Sequence, residues 1–112
     1  IDCYRAALRV RTEETDPVSH AELLNSIAWV LAHDMEPPRP SEARPIAEKA
    51  VSLAPNSPHY LDTLAYCYYG LERWSDAVES WDRALALDPE WFTEHEYAQW
   101  RYDEAARRAA QA

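Results

Sequence analysis

The chain has 112 residues, with 11 Lys and Arg against 20 Asp and Glu, a formal net charge of −9, and a single glycine, Gly70. That length supports one domain with a real core, and the negative balance disfavours nucleic-acid binding, which rests on basic groups neutralising phosphates. The longest apolar run, Ile27 to Ala32, is far shorter than the roughly 20 residues a membrane span needs, and the wealth of alanine, leucine and long charged side chains predicts an all-α fold.

In chain order, the opening IDCYRAALRV aligns with VESWDRALAL at 78–87, so that Tyr4 matches Trp81, Ala7 matches Ala84 and Leu8 matches Leu85. Residues 1–14 therefore read as the second helix of a helix pair whose first helix lies outside the sequence. With Ile1 in place of Met, this leads us to expect a fragment with a preceding repeat or domain. Thr15-Asp16-Pro17 reads as a linker. Ser19-x-x-Glu22 has the form of a capping box opening a helix over about 20–33. Leu24, Ile27, Ala28 and Leu31 give that helix one apolar face. The proline-rich stretch DMEPPRPSE (34–42) predicts a stiff loop, and Ala43, Ala47, Ala50 and Leu53 predict a second helix over about 42–53 with Pro45 in its first turn.

The stretch from Pro58 to Pro89 has the clearest pattern. Leu61, Leu64, Ala65 and Tyr68 fall at i, i+3, i+4 and i+7, the face of a helix over about 58–71 that Ser57 can cap and Pro58 can open. Ala77, Val78, Trp81, Ala84 and Leu85 form the stripe of a helix from about Ser75 to Asp88, stopped by Pro89. Beyond it, Thr93-x-x-Glu96 suggests another capping box and one helix over about 93–110. Trp91, His95, Ala98, Tyr102 and Ala105/Ala106 would form its one stripe, His95 and Gln99 would stand where Leu61 and Ala65 stand, and the tail ARRAAQA would fray.

Small residues at Ala65, Ala77 and Ala84, beside large ones at Tyr68 and Trp81, let two helices approach closely while the gaps are filled. Leu61-x2-Leu64-Ala65-x2-Tyr68, then Ala77-x3-Trp81, then Pro89, resembles the tetratricopeptide repeat, whose pattern is W-x2-L-G-x2-Y, A-x3-F and P. Leu61, Ala65 and Trp81 stand where that family has Trp, Gly and Phe. The resemblance covers about residues 1–89. It implies an α-solenoid of antiparallel helix pairs in a right-handed superhelix. Its parts would be a second helix at 1–14, a repeat at 19–55, the repeat nearest to the family pattern at 56–89 and a capping helix at 90–112. Leu24 lies 37 residues before Leu61, whereas Pro55 lies 34 before Pro89, so the 19–55 unit carries a three-residue insertion between its helices. LNSIAWVLA and LAPNSPHYLDTLA also resemble repeats of large bacterial multidomain proteins.

No constellation in the sequence points to catalysis. His95-Glu96 begins like a zinc-binding HExxH motif, but Gln99 occupies the second histidine's place. His33-Asp34 reads as a helix end, where a cation meets terminal carbonyls favourably. His20 and His59 read as solvent-facing first-turn residues. There is no glycine-rich phosphate loop, and Asn56-Ser57-Pro58 is not a glycosylation sequon. Cys3 and Cys67 are isolated; two buried thiols is the favoured reading, a disulfide or metal site the lesser one, and a cytoplasmic protein is expected.

A second stripe, His59, Asp62, Tyr66 and Tyr69, lies roughly 130° from the core stripe at 100° per residue. Glu22, Asn25, Trp29 and His33 are its counterparts in the preceding helix pair. The resemblance implies that this side lines a concave groove for a peptide. Trp29, Tyr66 and Tyr69 would be its anchors, Asn25 and Asp62 its hydrogen-bonding groups, with His33 and His59 beside them. With Glu22 and Asp62 acidic and no cluster of cations, a clamp for a terminal carboxylate is disfavoured and a basic or neutral peptide or protein partner is expected. The alternative is that the aromatics pack on neighbouring helices and the segment is a structural or regulatory spacer of a larger protein. No catalytic residues, metal or cofactor are expected.

Overall fold

In a computed structural model the described residues are 17–35 and 37–111. The helix expected over 1–14, with Cys3 and Tyr4, lies outside them. The described elements are α1 (Pro17–Trp29), which runs on as a π-helical turn (Val30–Asp34), α2 (Pro40–Leu53), α3 (Pro58–Gly70), α4 (Trp74–Leu87), a short α5 (Trp91–Glu94) and α6 (Glu96–Gln111). No strand occurs among the described residues. Helices α1 and α2 pack as one pair and α3 and α4 as another. Helix α2 also packs on α3, and α4 on α6. Helices α1, α3 and α6 touch in turn and form an inner row. The described residues thus form an all-α array of antiparallel helix pairs.

Alanine sets the spacing. Ala28, Ala43, Ala47 and Ala50 are buried between α1 and α2, and Ala65, Ala77 and Ala84 between α3 and α4. A methyl group in each place lets backbones approach and leaves the volume to larger neighbours. Leu24, Ile27, Leu31, Leu61 and Leu64 fill the first core, and Trp81, wholly buried, is the centre of the second with Trp91, Ala98 and Ala105. The same residues gave the helical periodicity in the sequence.

Several expected boundaries move. Helix α1 begins at Pro17, so Ser19 sits inside it rather than at its cap. Helix α1 runs on into the π-turn, closed by Met35 N–H to the Val30 carbonyl at 2.8 Å, which widens the turn by one residue. Helix α2 begins at Pro40, which places Pro45 in its second turn on an exposed side. The single helix expected over 93–110 is broken at His95, whose non-helical backbone (φ −132°, ψ 74°) separates α5 from α6. Thr93 is therefore within α5 and caps nothing. Trp91, Ala98 and Ala105 of the expected stripe are buried, with His95 and Tyr102 half-buried, whereas Gln99, set in the place of Ala65 by the repeat frame, is exposed. The tail expected to fray is helical to Gln111.

Helix α3 ends in a turn that returns two amides to its last carbonyls: Arg73 N–H to Tyr68 O at 2.9 Å and Glu72 N–H to Tyr69 O at 3.1 Å. This is the Schellman arrangement, and its left-handed residue is Glu72 at φ 60°, where glycine is the usual occupant. The glycine comes two residues earlier. A Cβ on Gly70 would lie 3.0 Å from Pro40 Cβ, so Gly70 permits the close approach of α3 to the start of α2. Replacing Glu72 by glycine should relieve the left-handed strain and raise stability by about 0.5–1 kcal/mol, once glycine's greater unfolded entropy is subtracted. Gly70→Ala should lower it. Urea unfolding followed by circular dichroism checks both signs.

Candidate functional site

The inner row of α1, α3 and α6 carries the stripe predicted from the sequence. Asn25, Trp29 and His33 come from α1 and its π-turn, and His59, Asp62, Tyr66 and Tyr69 from α3. Three hollows follow one another along this face. The first, ≈ 480 Å³, lies among Glu22, Asn25, Ser26, Ser57, His59 and Tyr60. The second, ≈ 140 Å³, lies among Asn25, Trp29, His59, Asp62, Thr63, Trp91, His95 and Tyr97. The third, ≈ 430 Å³, is bounded by His33, Pro38, Pro40, Tyr66, Tyr69 and Arg101, among others.

An aromatic cluster separates the second hollow from the third. The Trp29 ring stacks on His33 at 4.6 Å, meets Tyr66 at 5.2 Å and meets Tyr97 edge-on at 5.7 Å. The i, i+4 spacing of Trp29 and His33 survives across the junction with the π-turn and keeps both rings on one side. The guanidinium of Arg101 lies 4.9 Å from the Tyr66 ring centre and 5.9 Å from that of Tyr69, a cation over aromatic faces. One of its N–H groups donates to the Tyr97 carbonyl at 3.2 Å. The Tyr69 hydroxyl donates to Glu104, which holds that carboxyl below the ordinary carboxylate range.

One predicted site residue has a different role. Asp62, expected to offer its carboxylate to a ligand, is buried. Its Oδ1 accepts from the Trp81 indole N–H at 2.7 Å, and its Oδ2 from the Tyr97 hydroxyl at 2.6 Å. A carboxylate removed from water needs such donors, and both oxygens are already engaged. Burial, together with the Asp62 charge, drives the Tyr97 phenol well above its ordinary value. Thr63, beside it, is buried and donates to the His59 carbonyl at 3.1 Å.

Helix α6 and the turn before it supply the residues that sequence reasoning missed: Trp91, His95, Tyr97 and Arg101. Trp91 is buried, its ring stacked on His95 at 3.8 Å and met edge-on by His59 at 4.8 Å. His95 Nδ1 lies 2.9 Å from the Trp91 carbonyl, which can only accept. Nδ1 therefore carries the proton, and in the neutral ring Nε2 keeps a lone pair. The available signal was the aromatic spacing Trp91, His95 and Tyr97, obscured by a register that ignored the break at His95.

The inner face thus gathers packed aromatic rings, polar groups between them and the half-buried guanidinium of Arg101. Cys67 is buried in the core, and its thiol is pushed up to about 12 by desolvation, far from a reactive thiolate. Among the described residues no group of three His, Cys, Asp or Glu side chains could hold a metal ion, and no helix is long and apolar enough to cross a membrane.

The family model for the tetratricopeptide repeat matches residues 58–91, which are α3, α4 and the start of α5. Comparison with curated proteins returned no match, nor did comparison with solved structures.

The buried network makes an alkaline-pH prediction. Tyr97, Tyr69 and Tyr102 all have raised phenol pKa values in the folded state, the latter two at about 12, through burial and hydrogen bonds to carboxylates. Below pH ~10 the phenols are protonated folded or unfolded and the full contribution is present. Above it the unfolded chain ionises first, so stability should fall as pH rises through 10 to 12. Tyr97→Phe should cost about 1.5–3 kcal/mol at pH 7, because it removes one donor from a buried carboxylate, and should flatten the alkaline decline. Denaturant titrations of both proteins between pH 7 and 11 measure the cost and the slope.

Proposed function

Starting from residues 58–91 as a tetratricopeptide repeat, a fold that generally mediates contact between proteins, we propose that the inner face of α1, α3 and α6 binds a peptide or protein partner. In this reading α1 and α2 form a second repeat, and α6 occupies the place of the next repeat's first helix. The observation that carries the reading is the run of three hollows along one face, divided by a rigid aromatic cluster and flanked by Arg101. Trp29, Tyr66 and Tyr69 offer broad ring surfaces already held by neighbours, so little side-chain freedom is lost on binding. Asn25, His33 and His59 supply polar contacts.

The partner that suits this face is neutral. Asp62, which argued for a basic ligand, is saturated by Trp81 and Tyr97, and Arg101 brings a cation to the third hollow while Glu22 borders the first. A second reading, a spacer within a larger protein, is favoured by one observation: Trp29, Tyr66 and Tyr97 pack on one another, as they would with no ligand.

Affinity capture from source-cell extract separates the readings. Ser26→Arg places a long cation in the first hollow from an exposed position, and Arg83→Ala alters the exposed surface of α4. A partner retained by the parent protein and by Arg83→Ala, but reduced at least ~10-fold by Ser26→Arg with an unchanged circular dichroism spectrum, is the expected outcome. Equal retention by all three, or by none, supports the spacer.

A further inference from the structure

Among the described residues the half-buried basic side chains are Arg44 and Arg101, and their surroundings differ. Arg44 is neutralised by Glu48 at 2.7 Å. Arg101 enters no ion pair among the described residues, in a chain with 20 Asp and Glu. Its one hydrogen bond there runs from Nη1 to the Tyr97 carbonyl. Its Nε and Nη2 make none, and neither is buried, so water reaches both. The guanidinium lies among rings instead, its carbon 4.9 Å from the centre of Tyr66, 5.5 Å from Trp100 and 5.9 Å from Tyr69. Arg101, Tyr66 and Tyr69 all line the third hollow with Pro38 and Pro40. Trp100, 65% exposed, stands beside them on α6 as an open apolar flank.

The open edge names its ligand. The Nε–H and Nη2–H bonds of a guanidinium run parallel, at a spacing that the two oxygens of a carboxylate fit. A phosphate carries nearly two charges, whereas this hollow holds one fixed cation in a chain of net charge −9. A chain terminus would bring backbone amides against Ala32, Pro38 and Pro40, whose side chains cannot meet them. A side chain carries its carboxylate on methylenes, which suit walls of proline and tyrosine rings.

We infer that the third hollow seats an acidic side chain of the bound partner, glutamate or aspartate, with both carboxylate oxygens on Nε and Nη2 of Arg101. The stem packs on Tyr66 and Tyr69, and the flanking partner chain covers Trp100. Arginine, tryptophan and tyrosine are the residues that dominate binding energy where water is excluded. The inference rests on the inner face being the binding surface and names one side chain of what binds there. Glu22, at the first hollow, leaves room for a compensating base, so the partner as a whole is still neutral.

The test is a titration of the ¹⁵N-labelled protein, observing arginine Nε–H resonances, with Arg101→Gln identifying the Arg101 signal. The probes are acetyl-Gly-Glu-Gly-amide, its glutamine counterpart, and acetyl-Gly-Gln-Gly with a free terminal carboxylate. The expected result is a saturable shift of the Arg101 resonance by the glutamate peptide, with an affinity at least ~5-fold above that of the other two. The preference should shrink in high sodium chloride, disappear in Arg101→Gln and persist in Arg83→Ala. Arg101→Lys keeps the charge without the fork and should retain only part of it; this variant decides the matter if the circular dichroism of Arg101→Gln shows a loss of fold. Equal binding of the glutamate and glutamine peptides, or an Arg101 resonance that does not move, overturns the acidic seat. A free terminus that binds as tightly as the glutamate peptide, or inorganic phosphate that binds more tightly, overturns the side-chain assignment. If both glutamate and glutamine peptides shift the Trp29 indole resonance equally, the inner face still binds and only the acidic assignment fails. If Ser26→Arg also leaves partner capture intact, the inner-face reading fails with it.

Discussion

The buried carboxylate of Asp62 ties the structure together. It stands on α3 and accepts hydrogen bonds from Trp81 on α4 and Tyr97 on α6. An unpaired carboxylate in that position would be costly enough to unfold a small domain, whereas one with two directed donors is tolerated and fixes geometry. The Trp81 contact sets how deeply α4 lies against α3, alongside the alanine contacts. The Tyr97 contact sets where α6 enters the inner row. With Tyr97 placed, its ring closes the aromatic cluster on Trp29 and its carbonyl receives Arg101. The layout of the inner face is thus downstream of one charged group in the core.

That dependence explains which parts were legible in the sequence. Helices α2, α3 and α4 follow from local spacing, because Ala43, Ala47 and Ala50, or Leu61, Leu64 and Ala65, show their buried face in the order of residues alone. Asp62 lies on the same turn of α3 as groove-facing residues, and helical geometry alone assigns it to the groove. Its partners are 19 and 35 residues away, beyond the reach of periodicity. The break at His95 was hidden for a related reason. Thr93 and Glu96 have capping-box spacing, but Trp91 is fixed in the second core and the chain must turn again to lay Ala98 and Ala105 beside Trp81. Tertiary packing overrode a local signal worth about 1 kcal/mol.

The aromatic cluster has two consequences for any ligand. Rings that hold one another need not be ordered on binding, so contact with them retains more of its gross energy. The same mutual packing fills the middle of the face and leaves space at its ends, one polar around Asn25 and His59, the other bounded by Tyr66, Tyr69 and Arg101. An extended partner would therefore meet two chemically different subsites separated by an aromatic bridge. On the proposed binding reading, this arrangement suits reading side chains at a fixed separation better than gripping a chain evenly along its length.

Departures from local rules in this chain fall into two groups. Glu72 in a left-handed conformation is structural: it closes α3 where Gly70 must pass Pro40, far from the second hollow. The π-turn after Trp29 and the unmet polar atoms of Asn25 and Trp91 instead border the inner face. Neither adds to stability: a π-turn is rarer and weaker than the helix it interrupts, and an orphaned donor or acceptor is a direct cost. A fold optimised only for packing would place an apolar residue at Asn25 and turn the Trp91 indole toward an acceptor. In the binding reading proposed above, their coincidence on the face that also gathers the aromatics and Arg101 is what a surface keeping binding capacity at some expense in stability would show.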